Sequence, residues 1–418
     1  MQNTPRLLVL SHVLPFPQSS GQQQRVFYTL KALRNFFHIT FASSVAKGDA
    51  HQVRDQLLDH CDDVALLPSV YQSSRISKTW HQAAGGFSTL RSGLKFSNYV
   101  IGQLEFSPAR VSSLLASKTF DCVLFEYWHA ADSARIFRER GTPCLLDMHD
   151  ILWQAHARQL DEGKAPEWWK RRALNQYKKN EEESWEKFDG VIAINHEELK
   201  YVERRLPDST SVFYAPMGTD LMRWPYFWRP SQTPKVAYYG GLSSRHNQDD
   251  ALKCAHQIMP RIWEKFPKAE LWLIGSNPPE RLKVLSSDPR IKVTGYVDEV
   301  GKLLGQMSVV VCPWTGRYGF RSRLIEVLAT GVPLVASNDA VWGMGLTHGE
   351  GIMLGSTEQE LIEHALRIIQ EPAFAKDLSS AGRQWVEDNF SFENTYGKFG
   401  IELSQWLHQS RQRQEYAL

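Results

Sequence analysis

Short unbroken apolar runs alternate with amphipathic stretches along most of the chain. The runs lie at Arg6–Ser11, His38–Ala42, Asp121–Glu126, Pro143–Met148, Asp189–Ile194 and Val212–Pro216, and then at Lys235–Tyr239, Glu270–Ile274, Ile291–Thr294, Val309–Cys312, Pro333–Ser337 and Gly351–Leu354. Each is too short for a helix and is bounded by Gly, Pro or polar residues, so each reads as a buried strand. The intervening stretches carry a helical stripe. Arg25–Phe36 has apolar residues at 26, 27, 30 and 33, and Asp249–Phe266 has them at 251, 252, 255, 258, 259, 262 and 263. Lys170–Phe188, Val297–Met307, Leu324–Thr330, Glu358–Gln370, Phe374–Phe390 and Phe392–Gln414 read as further helices. Strand and helix in alternation predict an α/β protein with parallel, doubly wound sheets. Residues 46–120 show no such regularity. Within them Arg75–Asn98, polar, basic and Ser/Gly-rich, reads as an irregular excursion.

The pattern breaks once, at the Trp/Pro-rich segment RWPYFWRPSQTP (223–234), which marks a domain boundary. A chain of 418 residues exceeds one ordinary core. Two doubly wound domains are therefore expected, 1–222 and 230–395, facing a central cleft, with the helix over 396–418 packing back on the first. Hydrophobic content of 42% and charged content of 22% suit a globular chain. A net charge of +2, from 48 basic and 46 acidic residues, gives no general reason to expect nucleic acid. The five cysteines form no CxxC pair, which fits buried free thiols in a reducing cytosol. No apolar run is long enough for a transmembrane helix, and Leu7–Leu10 is too short for a signal peptide.

The richest chemistry lies in Ser308–Asn338. Here a buried strand ends at Pro313, and a loop carries Gly316, Arg317, Tyr318, Gly319, Phe320, Arg321, Ser322 and Arg323. A helix then runs to Gly331 before the next strand. Ligands of open α/β sheets bind at such strand ends. A helix N-terminus beside three arginines suits an anion such as a phosphate. Arg323 and Arg321, with the N–H and Oγ of Ser322, can hold such an anion, and Glu326 can accept hydrogen bonds from hydroxyl groups. The plainer alternatives are arginines on a surface turn and an exposed helical glutamate. Elsewhere, strand ends carry Glu126 with His129, and His149 with Asp150. A histidine there can bind a sugar or move a proton, or simply satisfy a loop carbonyl. The aromatic, basic stretches 163–172 (GKAPEWWKRR) and 223–230 (RWPYFWRP) suit a membrane surface or a lipid-linked acceptor. For Trp224 and Trp228, packing at a hinge is preferred.

These motifs resemble the GT-B glycosyltransferases, in particular the retaining family 4 enzymes that use nucleotide-sugars. The first loop with Gly21 and Arg25 is similar to the loop facing the donor phosphates. Pro216–Asp220 is similar to the family's PNGVD segment, and Tyr239–Leu242 to its VGRL strand end. Gly319–Gly331 resembles the loop and helix of the Glu-x7-Glu motif, with Glu326 as the second glutamate. The resemblance implies a donor site of Gly21, Gly240, Gly241, Arg245, Gly275, Tyr318, Gly319, Phe320, Arg321, Ser322, Arg323 and Glu326. It implies His149, Asp150, His129 and Glu126 for catalysis, with no metal or other cofactor. The chain departs from the family at Tyr318, which replaces the first glutamate, and at Gly241 and His246, which replace the usual diphosphate clamp. Asn195 replaces a common serine. Arg323 sits where divergent branches resembling exopolysaccharide sugar transferases carry a basic residue. The implied function is retaining transfer from a nucleotide-diphosphate sugar to a glycan or lipid-linked acceptor in surface polysaccharide synthesis. Such an enzyme is expected in the cytoplasm, with peripheral contact at the inner face of the membrane. The alternative is a GT-B scaffold that binds glycan without transferring it.

Overall fold

The computed structural model describes residues 4–114, 118–161, 163–317 and 319–416. It divides into two units, Met1–Pro216 with Tyr396–Leu418, and Met217–Thr395.

The first unit is built on seven strands, β1 (Arg6–Leu10), β2 (His38–Val45), β3 (Asp63–Pro68), β4 (Cys122–Glu126), β5 (Cys144–Asp147), β6 (Gly190–Ala193) and β7 (Ser211–Tyr214). All pair in parallel in the order β3-β2-β1-β4-β5-β6-β7. Side chains alternate across β1. Leu8 and Leu10 enter one apolar cluster, while Leu7 and Val9 enter another on the opposite face. Both faces are buried under helices, which is why these strands are continuously apolar rather than alternating. Helix α1 (Gly21–Leu33) follows β1, and Ser20 caps it by accepting from the N–H of Gln23.

Arg75–Ser92 is helical, not irregular; we label it α2. Ser74 caps its start by accepting from Ser77 N, and Gly93 ends it in the left-handed conformation at φ 70°. Gly85 is its buried contact, because a Cβ there would stand 2.3 Å from the ring of Phe96. The sequence pattern hid this helix because most of its large apolar residues face solvent. The same unregular stretch hid β3 and a helix at Ala50–Leu58. Farther on lie α3 (Glu167–Trp185) and α4 (His196–Glu203).

The second unit repeats the plan with β8 (Lys235–Tyr239), β9 (Glu270–Ile274), β10 (Ile291–Val293), β11 (Val309–Cys312), β12 (Leu334–Ser337) and β13 (Met353–Gly355). They are parallel in the order β10-β9-β8-β11-β12-β13. Its helices include α5 (Arg245–Lys253), α6 (Ser322–Thr330), α7 (Glu358–Gln370) and α8 (Pro372–Phe390). The helix expected over Val297–Met307 shrinks to Val300–Leu304.

The units divide at Pro216 and Met217, ahead of the Trp/Pro-rich connector. That connector belongs to the second unit: Trp224 is buried in its core, and Trp228 Nε1 donates to the carbonyl of Met307 at 2.9 Å. The last helix, α9 (Lys398–Tyr416), lays Phe399, Leu403 and Leu407 into the first unit's core, and Trp406 Nε1 donates to Ser211 Oγ at 2.8 Å. The i, i+4, i+8 spacing of those three residues is a single helical stripe. All five cysteines are buried and free.

In each sheet the strand order reverses between two neighbours, β1 and β4 in the first and β8 and β11 in the second. Crevices form outside the carboxyl ends of strands at such a point.

Candidate functional site

In the second unit, β8 ends on Tyr239 and α6 begins close to the end of β11. Arg323 and Glu326 are three residues apart on α6, so both side chains rise from one face. Arg323 Nη1 donates to Tyr239 Oη at 2.6 Å and to Glu326 Oε2 at 2.9 Å. Tyr239 Oη donates to the same carboxylate oxygen at 2.7 Å. Glu326 is buried, while 35% of the Arg323 side chain remains exposed. Burial alone would lower the pKa of Arg323, but Glu326 and Tyr239 outweigh it and the net shift is upward. Burial, then Glu326, holds the Tyr239 phenol well above its ordinary range, so it stays protonated and donates. The closed triangle fixes a permanent cation at the first turn of a helix, and this arrangement can bind an anion.

Arg321 takes a different position. Its guanidinium carbon lies 3.1 Å from the ring centroid of buried Trp314, a stacked cation–π contact. Trp314 is fixed in turn, its Nε1 donating to Gly316 O at 2.9 Å and its carbonyl accepting from Ser337 Oγ. Asp339 braces the same loop by accepting from Gly316 N and Arg317 Nε. Burial raises the Asp250 carboxyl to about 6, against the opposing cations of Lys253 and Arg321.

Ser322 is the first residue of α6, and among the described residues no side chain caps that helix. Phe320 packs on Phe390, with ring centroids 5.7 Å apart. Gly319 has φ 65° and so needs glycine's freedom. Gly240 and Gly275 meet where β8 and β9 end: a Cβ on Gly275 would stand 1.8 Å from the carbonyl of Gly240. Gly241 has more room, its nearest neighbour being Asn247 Nδ2 at 3.8 Å. Arg245 is exposed at the start of α5, its carbonyl accepting from Arg281 Nη2 at 3.4 Å. Tyr318 lies outside the described residues.

In the first unit, β4 and β5 end side by side, with Glu126 paired in register with Asp147. His149 Nε2 meets Glu126 Oε2 at 2.5 Å, and both side chains are buried. Asp147 accepts from Arg25 Nε at 2.8 Å, in an ion pair buried on both sides. Arg25 Nη1 also donates to the carbonyl of Ala215 at 2.5 Å. Burial alone would lower the pKa of Arg25, yet Asp147 drives it upward. Burial and the neighbouring Asp147 raise the Glu126 carboxyl, while His149 opposes the shift. Two acids thus meet a guanidinium and an imidazole at the carboxyl ends of β4 and β5.

Above them the rings stack. Tyr127 lies 4.0 Å from His149 at 14°, 5.0 Å from His12 and 5.7 Å from His129, centroid to centroid. Tyr127 (φ 73°) and His149 (φ 61°) hold positive-φ conformations that cost about 1–3 kcal/mol each in a side-chain-bearing residue. Strain of this kind concentrates at functional sites. Burial lowers His12 to about 4, with His149 adding to the effect. Burial, then His12, Lys95 and His149, lowers His129 to about 3. Both are neutral near pH 7. Among the described residues, the buried Nδ1 atoms of His12 and His129 have no hydrogen-bond partner.

The structure therefore brings Glu126, His129 and His149 into one cluster. Asp150 follows His149 directly, its charge felt by Tyr127 and by buried Glu198. Gly21 is the first residue of α1, one turn ahead of Arg25 on the same helix. Glu126, Asp147 and His149 present donor atoms within 4.8 Å of one another, a set that can hold a metal ion. The Arg25 cation already occupies the place of a positive charge at Asp147. The sequence reading missed Asp147 and His12 here, and Tyr239 and Trp314 in the second unit. Asp147 and Tyr239 are the last residues of β5 and β8, and His12 and Trp314 lie within two residues of the ends of β1 and β11; closeness to a strand end is the one local signal that would have found them.

Two family models match the chain. The glycosyl transferase 4-like domain covers residues 21–218, and glycosyl transferases group 1 covers residues 233–371. The chain is similar to a phosphatidyl-myo-inositol mannosyltransferase of Propionibacterium freudenreichii, 27% identical over 135 residues. That match spans 32% of this chain and 33% of the relative. Among solved structures, sucrose-phosphate synthase of Thermosynechococcus elongatus superposes with a TM-score of 0.68 at 18% identity, covering 97% of this chain and 98% of the other. HepE of Anabaena, in complex with UDP and glucose, gives a TM-score of 0.60 at 15% identity, covering 96% and 99%. With both family models matched in order and both units folded as their GT-B neighbours are, the chain belongs to the family 4-like, group 1 glycosyltransferases of GT-B fold.

Proposed function

We propose that the protein moves a sugar, with retention of configuration, from a nucleotide-diphosphate sugar to a glycan or lipid-linked acceptor in cell-surface polysaccharide synthesis. The observation that carries this reading is the Arg323–Tyr239–Glu326 triangle at the first turn of α6. Its exposed cation suits a diphosphate leaving group, and its carboxylate suits ribose hydroxyls. In the first unit, taken by itself, His149 is oriented by Glu126, and His12 and His129 are the neutral imidazoles beside it. Glu126 and Asp147 are engaged by His149 and Arg25, so the acid–nucleophile carboxylate pair of double-displacement glycosidases is not on offer. Transfer on one face of the sugar, with the leaving phosphate taking the acceptor proton, needs no such pair. Arg323 and the helix N-terminus supply the positive charge, so the reading requires no metal or other cofactor. No helix among the described residues is long and apolar enough to cross a membrane. A curated relative is named for mannosyl transfer to phosphatidyl-myo-inositol, which favours a cytoplasmic protein in peripheral contact with a membrane.

The second reading is a scaffold that binds a glycan or partner without transfer, favoured by Tyr318 in place of the family's first glutamate and Gly241 in place of a basic clamp residue. A thermal-shift panel of UDP-, GDP-, TDP- and ADP-sugars on the wild type and on Arg323→Ala tests the donor site. A ligand of the native state raises Tm. A rise with one nucleotide series that is lost in the variant is the expected outcome. No rise with any of them would sink the donor reading.

A further inference from the structure

The face of α2 turned away from the first unit's core is apolar. Ile76 is 83% exposed, Trp80 68%, Phe87 68% and Leu90 66%. With exposed Ala83 they fall at steps of four, three, four and three residues, one narrow stripe along the helix. Gly85, the buried residue of this helix, lies opposite them, pressed on Phe96 and Tyr99. The stripe is therefore not a core face that failed to pack: the helix is anchored by its other side. A contiguous exposed stripe of this kind marks an interaction surface.

Charge selects the occupant. Between residues 64 and 104 there is no Asp or Glu, while Arg75, Lys78, Arg91 and Lys95 are basic. Arg75, Lys78 and Arg91 are exposed on α2 itself. The helix also ends against a second surface of the same composition. Gly93 abuts the backbone of Ala173 on α3, so closely that a Cβ would come 2.8 Å from its Cα. In the preceding turns of α3, Trp168 (64%), Arg171 and Arg172 are exposed. On α2 the large apolar side chains are flanked by cations alone, and on α3 Arg171 and Arg172 stand near Trp168 while the one neighbouring acid, Glu167, is paired with Lys170; this composition matches the boundary between anionic headgroups and acyl chains.

We propose that α2, continued by the start of α3, docks the first unit on an anionic bilayer, with Ile76, Trp80, Phe87 and Leu90 entering the headgroup boundary. This deepens the membrane contact proposed above and rests on that reading, but not on the donor chemistry. The experiment is co-sedimentation of the full chain with phosphatidylcholine vesicles, with and without phosphatidylglycerol, at low and high salt. The variants are Trp80→Glu/Phe87→Glu and Trp168→Glu. The wild type is expected to pellet with the anionic vesicles, more weakly in high salt. The double variant should bind at least tenfold more weakly with unchanged circular dichroism, Tm and response to nucleotide-sugars. Those last readouts keep the donor reading separate. Wild-type protein left in the supernatant at low salt would overturn the proposal. So would a double variant that pellets as the wild type does, or a wild-type dimer that ignores vesicles and is dissolved by the same substitutions.

Discussion

Replacing Arg323 with alanine separates a binding role from a structural one, because the residue has both kinds of contact. On the structural side, the variant leaves the buried carboxylate of Glu326 with the Tyr239 hydroxyl as donor. Breaking a fully buried ion pair costs about 3–5 kcal/mol. Arg323 keeps 35% of its side chain exposed, and solvent screening reduces the figure to roughly 1–2 kcal/mol. In a unit of this size each kcal/mol moves Tm by about 2–4 °C, so a fall of roughly 2–8 °C is expected. On the binding side, a charge-assisted hydrogen bond to a phosphate contributes about 1.5–3 kcal/mol. Its loss weakens a nucleoside diphosphate roughly 10- to 150-fold. Calorimetric titration of the wild type, Arg323→Ala and Arg323→Lys measures this directly. Lysine keeps the charge but not the planar fork, and should fall between the two. An alanine variant with lowered Tm and a Kd within twofold of the wild type would refute the reasoning, leaving Arg323 as a mere brace for Glu326.

Three further outcomes are expected. Glu126→Gln keeps the shape of its side chain but removes the charge that orients His149; sugar transfer should fall by about tenfold or more while nucleotide affinity holds, which a kcat and Kd comparison checks. His12 and His129 are lowered to about 4 and about 3 from an ordinary 6.5, so in that interval the unfolded chain binds more protons than the native one. Their contribution is complete above pH 6.5 and is lost as pH falls through 4 and then 3, on the order of 3 kcal/mol per imidazole. Urea unfolding midpoints should therefore drop on acidification, less steeply in His129→Asn. Gly275→Ala would place a methyl 1.8 Å from the Gly240 carbonyl; parting the ends of β8 and β9 should cost more than about 2 kcal/mol and abolish the nucleotide-induced rise in Tm.

The second unit was legible because its signals are local. An unbroken apolar run, a proline, a basic loop, a helix and Gly331 follow one another within Ser308–Asn338, and that order alone fixes β11, α6 and β12. Arg323 and Glu326 share a turn, so their pairing was within reach. The third corner of the triangle, Tyr239, lies 87 residues from Glu326 and could be seen only as the end of a strand. The same limit hid Arg25 and Asp147, whose buried ion pair joins residues 122 apart. Helix α2 was lost for a different reason. Apolar spacing reads as a helix when the stripe is taken to face a core, and here a Ser- and Gly-rich helix turns its stripe to solvent while resting on Gly85. Arg321 was singled out by its charge and its place in the loop; the aromatic face of Trp314 against it could not be read from spacing.

The most direct measurement is the release of nucleoside diphosphate from the nucleotide-sugar that stabilises the protein, with water as the acceptor and the anomer of the freed sugar read by NMR. The account predicts slow release by the wild type, first as the retained anomer, and release at least tenfold slower in Arg323→Ala and His149→Ala. Tight binding of the nucleotide-sugar with no release above that of the variants would contradict it.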